Sequence, residues 1–234
     1  MKKNEYKIVE DYMLEQMKDS AHDKHHVYRV LNFALDIAYH EVATNDIALD
    51  ILVAACLLHD IGREKQFANP GSCHAQIGGE MAYEFLSSIE FIKWSKQKAL
   101  HVKECISTHR YRRDNKPQSI EAKILFDADK LDASGALGIA RTLMYEGEVK
   151  EPLYRLDENG KVITGDGGAD ISTFFQEYNY KLKHIYDSFY TERAKELAVE
   201  RKKTAEDFYN RLYNEITMNY ENGLRKYQTY LESV

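Results

Sequence analysis

"ILVAACLLHDIGREKQF", Ile51 to Phe67, decides how this chain folds. The run from Ile51 to Leu58 is apolar without a break. A stretch that is apolar on every side belongs in the middle of a fold. Asp46 ahead of it and Gly62 behind it are helix start and stop signals. The spacing therefore predicts a buried helix from Asp46 to Gly62 that carries His59 and Asp60 at its end. Imidazole and carboxylate in an apolar interior are costly unless something compensates them. That pair calls for a partner.

The rest of the chain reads as helical almost throughout. Its 234 residues include 12 Gly and only 3 Pro, too few punctuators for a turn-rich fold. Val30, Leu31, Ala34, Leu35 and Ala38 predict a helix over 25–40, preceded by one over 5–18. "FANPGSC" (67–73) reads as a loop. Ile77, Met81, Phe85 and Ile89 mark another helix, and Val102, Cys105, Ile106 and His109 share a face of the next. Pro117 and Ser119 open a helix expected to continue to about Met144. Residues 146–171 carry Gly, Asp and Pro punctuation and read as a long loop or small hairpin. Thr173 and Gln176 have capping-box spacing. From Thr191 a helix with near-heptad spacing is expected to pack on a neighbour, here or in a second subunit, with a tail past Ile216 that frays. The expectation is an all-α single domain, 1–234. Its metal-binding core spans about 20–145, and the insertion and C-terminal helices span about 146–234.

Composition limits the partners. A net charge of -6 gives no general attraction to a nucleic-acid polymer, so affinity for phosphate must be local. No apolar run reaches a membrane span, and the start lacks a signal-peptide core. Cys56, Cys73 and Cys105 have no CxxC spacing and read as reduced thiols, Cys56 in the core. These features point to a cytoplasmic protein.

His59 and Asp60 have company. "AHDKHHVYRVLNFA" brings His22, Asp23, His25 and His26 ahead of an amphipathic helix. In "AKILFDADKLDASGALGIAR", Asp129 lies four residues after Leu125 and shares its apolar face. Three separate helices thus direct imidazole or carboxylate inward. One divalent metal would satisfy them together, and this donor mix suits Mn, Fe, Co, Ni or Zn better than Ca. His25 reads as solvated and Asp23 as a helix cap or a catalytic group. There is no GxGxxG, no phosphate loop of the GxxxxGK[ST] type and no GxSxG elbow; "GDGGAD" follows no buried strand.

His26, His59–Asp60 and Asp129, in that order, resemble the H…HD…D signature of HD-domain metal-dependent phosphohydrolases. "HDKHHVYRV", "LLHDIGRE" and "DADKLDASGALGIARTL" are similar to a subgroup of small bacterial HD hydrolases that includes nucleoside-triphosphate pyrophosphohydrolases. So is "STFFQEYNYKLKHIYDSFYTERAKELAVERKKTAEDFY", and the resemblance covers roughly residues 20–214. It implies His26, His59, Asp60 and Asp129 as ligands of a divalent metal (Mn, Co, Ni, Fe or Mg), with one site or two. It also implies that His74 and His109 either hold a second metal or face substrate phosphate and the attacking water.

Arg63 departs from the histidine common at this point of the family motif. A guanidinium there can clamp phosphate, and Lys65 and Lys130 are further phosphate candidates. Asp60 or Glu64 would act as base. Arg29, three after His26, would brace an acidic ligand of the metal, and Arg112 and Arg113 read as a solvated turn or a grip on distal phosphates. The implied activity is hydrolysis of a nucleoside or deoxynucleoside triphosphate to monophosphate and pyrophosphate. Another HD phosphatase or phosphodiesterase, a di-iron oxygenase and a non-catalytic nucleotide-binding regulator are the alternatives. The expected partners are a small nucleotide and, for assembly, a second copy in a homodimer.

Overall fold

The apolar run becomes helix α3 (Leu49–Leu58), buried on every side, with Leu52, Ala54, Ala55, Cys56 and Leu58 fully inaccessible. Burying each leucine here stabilises the fold by about 1.5–3 kcal/mol. The computed structural model describes residues 2–17, 24–42, 45–69, 71–88, 94–110, 115–165 and 172–234. Around α3 pack α1 (Lys3–Gln16), α2 (Lys24–Glu41), α5 (His74–Ser88), α6 (Lys96–Thr108) and α7 (Ile120–Asp132). Between α3 and α5 lies the short helix α4 (Arg63–Ala68). These elements form a first unit that ends at Asp132 and takes in Phe189–Glu196.

α3 departs from the expected span at both ends. It starts at Leu49 and stops at Leu58, so His59 and Asp60 lie in the turn beyond it. Gly62 is not the end of that helix but the residue that opens α4. Close packing explains its identity. A Cβ on Gly62 would sit 2.3 Å from the His74 carbonyl oxygen and 2.6 Å from the Gly78 nitrogen. The turn is thus pressed backbone to backbone against the first turns of α5. On α5 the buried face is His74, Ala75, Gly78, Gly79, Met81, Ala82 and Leu86, while Phe85 stacks on Tyr12 at 3.7 Å. Ile89 lies outside the described residues.

The helix expected from Ser119 to Met144 is two helices. α7 ends at Asp132, and α8 (Gly135–Glu148) starts after Ser134, with Gly135 at φ 65°. A left-handed residue breaks a helix, and glycine adopts that conformation without a Cβ penalty.

The second unit comprises 133–188 and 197–234. It contains α8, α9 (Phe174–Tyr180), a 3-10 turn (Leu182–Asp187) and most of α10 (Glu192–Glu232). Thr173 caps α9, its hydroxyl accepting from the Gln176 backbone N–H. Phe174 and Phe175 are buried edge-on against Phe208 and Tyr209 of α10. α8 runs to Glu148, so the insertion starts later than expected and is pinned, among the described residues, by one antiparallel bridge, Leu156 to Val162. Its tip is a turn in which Asp157 accepts from the N–H groups of Asn159 and Lys161. α10 continues to Glu232, past the point where fraying was expected, although its last residues are exposed. Among the described residues no helix is long and apolar enough to cross a membrane. The three cysteines are free, Cys56 and Cys105 in the core.

Candidate metal centre

Four imidazoles and two carboxylates converge inside the first unit. α2 contributes His26, the turn after α3 contributes His59 and Asp60, and α5 begins with His74. His109 follows α6, and Asp129 stands on α7. All four histidines and Asp60 are buried.

Each ring is held from behind through Nδ1. His59 Nδ1–H donates to the Cys56 carbonyl at 2.8 Å, and His109 Nδ1–H to the Ile106 carbonyl at 2.6 Å. Both are consequences of a histidine placed where a helix ends, within reach of a carbonyl one turn back. His74 Nδ1–H donates to Gln66 Oε1 at 2.6 Å, and His26 Nδ1–H to Asp132 Oδ2 at 2.7 Å. Each Nε2 is thereby turned inward.

The inward atoms form two groups. His26, His59 and Asp129 make one, and Asp60, His74 and His109 the other. In the first, His26 Nε2 lies 3.2 Å from His59 Nε2 and 3.4 Å from Asp129 Oδ1. Asp60 joins the two. Its Oδ2 lies 3.5 Å from both His26 and His59 Nε2, while Oδ1 lies 3.5 Å from His74 Nε2 and 3.7 Å from His109 Nε2. Ligand atoms about 2.0–2.2 Å from one ion stand roughly 2.8–3.6 Å apart, which both distances from His26 match. Two inward nitrogen lone pairs at 3.2 Å repel unless a cation lies between them. Asp60 Oδ1 and His74 Nε2 are buried without a hydrogen-bond partner among the described residues, which is costly unless a ligand takes them up. The donor set fits a divalent metal.

The electrostatics agree. Burial drives His59 down to about 4, and burial with the nearby Arg63 charge drives His74 down to about 2, so both rings are neutral and able to ligate. Burial would raise Asp60 and Asp129, but surrounding positive groups hold both well below the usual carboxylate range. Burial would also lower His26. Hydrogen bonds to Asp129 and Asp132 lift it to about 9 instead. With no cation present, the carboxylates draw a proton onto this ring.

The other sequence-derived residues fall in different places. Arg63 Nε donates to Asp60 Oδ2 at 2.6 Å, with its side chain 21% accessible. Lys130 Nζ lies 2.7 Å from Asp129 Oδ2 and 5.0 Å above the Phe126 ring. Both cations therefore hold carboxylates of the centre. Glu64 and Lys65 are exposed on α4. His25 is exposed as expected, while His22, Asp23, Arg112 and Arg113 lie outside the described residues.

Two residues were missed. Asp132 is fully buried and receives Arg29 Nε at 2.6 Å and Arg29 Nη2 at 3.1 Å as well as His26. A signal existed, because Asp132 follows Asp129 by three and so shares its side of α7. Gln66 had none, since it meets His74 only because α4 folds back.

The HD domain family model matches residues 24–134, the stretch that spans all six inward residues. Protein YpgQ of Bacillus subtilis is 32% identical over 203 residues, 85% of this chain and 86% of its own. The crystal structure of that protein in complex with ADP superposes with a TM-score of 0.67 at 25% identity, covering 91% of this chain and 95% of the other. An HD-superfamily hydrolase from Bacillus thuringiensis gives a TM-score of 0.68 at 25% identity, covering 92% and 98%. One from an uncultured Thermotogales bacterium gives 0.58 at 27%, covering 91% and 92%. With this likeness, and a centre built of imidazole and carboxylate in the order H…HD…D, the chain belongs to the HD-domain superfamily of metal-dependent phosphohydrolases.

Proposed function

We propose that this chain hydrolyses a nucleoside or deoxynucleoside triphosphate to the monophosphate and pyrophosphate. The observation that carries this is the convergence of four inward Nε2 atoms and two carboxylates, with Asp60 offering one oxygen to each group. The nucleotide is supported by the ADP complex of the similar Bacillus subtilis protein.

His26, His59, Asp60 and Asp129 would hold the metal, which is Mn, Co, Ni, Fe or Mg. When bound it supplies Lewis acidity and lowers the pKa of a water. The chain's own residues do the rest. Arg63 is fixed by Asp60 and keeps its side chain partly accessible, so its guanidinium can meet a phosphate. Lys130 adds positive charge at the same centre, and the exposed Lys65 is a further candidate for phosphate. His74 and His109 either contact phosphate and the attacking water or hold a second ion. In both roles their neutral Nε2 is the working atom. Asp60 Oδ1 or Glu64 takes the proton released as the water attacks.

A panel of nucleotides with Mn, Co, Ni or Mg, with products separated, tests this. Pyrophosphate and monophosphate in equal amounts are expected. Orthophosphate as the only released phosphate would redirect the assignment to a phosphatase. Two tightly bound irons with an oxygen-sensitive absorption band would redirect it to an oxygenase. No turnover beside tight nucleotide binding would make the chain a regulator.

A further inference from the structure

We infer that Asp132, which is not itself among the inward donors, is a positioning residue that fixes the tautomer of His26 and so governs how tightly the first group binds its metal. This rests on the proposal that His26, His59 and Asp129 hold a metal.

The four histidines are not anchored alike. His59 and His109 lean on backbone carbonyls and His74 on the neutral side chain of Gln66. Among the described residues only His26 has a carboxylate behind it, at 2.7 Å. That carboxylate is oriented in its turn, because Arg29 donates Nε to Oδ1 at 2.6 Å and Nη2 to Oδ2 at 3.1 Å. Asp132 is fully buried, so its two oxygens cannot turn to water. A carboxylate that accepts from Nδ1–H keeps the proton on that nitrogen, leaves the Nε2 lone pair for the metal and makes the ring a stronger donor. The first group thus has a reinforced ligand that the second lacks.

The same geometry makes an unusual demand on substitutions. Asp132→Asn is nearly isosteric. Arg29 donates to both positions, so the amide oxygen takes the shorter contact, 2.6 Å from Nε, and the amide nitrogen takes the longer one, 3.1 Å from Nη2. The amide nitrogen is then left opposite His26 Nδ1, where the present contact is 2.7 Å. An N–H there needs a lone pair on Nδ1, which sends the ring proton to Nε2 and blocks ligation. An amide set behind a histidine in this way selects the wrong tautomer. Asp132→Ala removes the acceptor without imposing the wrong proton.

The experiment is a Mn²⁺ titration of the full chain, followed by paramagnetic resonance, for wild type, Asp132→Asn, Asp132→Ala and His26→Ala. Beside it, long-range ¹H–¹⁵N spectra of the Zn²⁺-loaded wild type locate the His26 ring proton. Asp132→Asn is expected to weaken Mn²⁺ by about 100-fold and Asp132→Ala by about 10-fold. A merely structural role predicts the reverse order, because alanine leaves a cavity and asparagine does not. The wild-type spectrum should place the proton on Nδ1, a readout that requires no variant to fold. Wild-type Mn²⁺ affinity in Asp132→Asn while His26→Ala loses the metal, or a wild-type proton on Nε2, would overturn the inference and leave the metal centre standing. Wild-type affinity in His26→Ala would remove both.

Discussion

Asp60 in the first unit and Glu146 in the second are both buried carboxyls, and their environments drive them in opposite directions. Asp60 has Arg63 at 2.6 Å and imidazoles on both sides, and it stays ionised far below its ordinary range. Glu146, near the end of α8, is 4% accessible, and neither carboxylate oxygen has a partner among the described residues. Burial, with Glu151 and Glu177 adding repulsion, pushes it up to about 7. Both carboxyls are closed off from solvent. What differs is whether a positive group or a donor stands beside the oxygens. A buried carboxyl in such company can ligate at neutral pH, whereas one without it weakens the fold each time it ionises.

The largest effect expected from this contrast is at Asp60. Asp60→Ala should abolish metal binding and lower turnover by at least about 10³-fold, read as metal content beside kcat. Full metal occupancy in that variant would mean that the company around Asp60 serves the fold and not an ion.

A second comparison stays within the first unit. Leu125→Ala on α7 should lower the unfolding free energy by about 2–5 kcal/mol. Asp129→Ala, four residues on, should cost less when both are unfolded in urea with a chelator present. Removing that carboxylate also removes its desolvation cost. Equal losses would show that Asp129 contributes to stability even without a metal.

Glu146→Gln should have the smallest effect, and it depends on pH. Glu146 has a folded pKa of about 7 against an ordinary 4.5, so the native state binds more protons than the unfolded chain between those values. Stability is then greatest below about 4.5 and falls as pH rises to about 7. Glutamine cannot ionise. At pH 8 the variant should melt roughly 2–4 °C above wild type, with most of the difference gone at pH 5. A constant offset at both pH values would show that Glu146 is neutralised by a partner.

Four of the six inward donors were legible because each sits where the sequence breaks its own pattern, while His26 and His74 came from the family resemblance. His59 and Asp60 interrupt an apolar run, His109 ends an apolar face, and Asp129 repeats the register of Leu125. The all-helical class followed from scarce Pro and Gly and from helical spacing. The anchors behind the rings were less legible. The Cys56 and Ile106 carbonyls are backbone atoms with no residue signature, and Gln66 reaches His74 only through the fold of α4. The split between α7 and α8 was signalled by Ser134–Gly135, but apolar periodicity carried past it masks a single left-handed residue. Arg63 and Lys130 read as phosphate contacts, yet composition cannot tell a cation that grips a carboxylate from one that waits for phosphate.

The contact between Gly62 and α5 bears on how this protein can change over generations. At most positions a fold tolerates a vocabulary of residues and drifts through it in small steps. At Gly62 the vocabulary has one word, because even a methyl group would land 2.3 Å from the His74 carbonyl oxygen. That contact spaces Asp60 from His74, so the distance between them cannot be tuned gradually there. Innovation in metal preference or substrate must enter elsewhere. The exposed positions of α4, where Glu64, Lys65 and Phe67 face outward, are the open door. A saturation library would show it as an abrupt wall at residue 62 beside a permissive plateau from 64 to 68, with Gln66 the exception inside it.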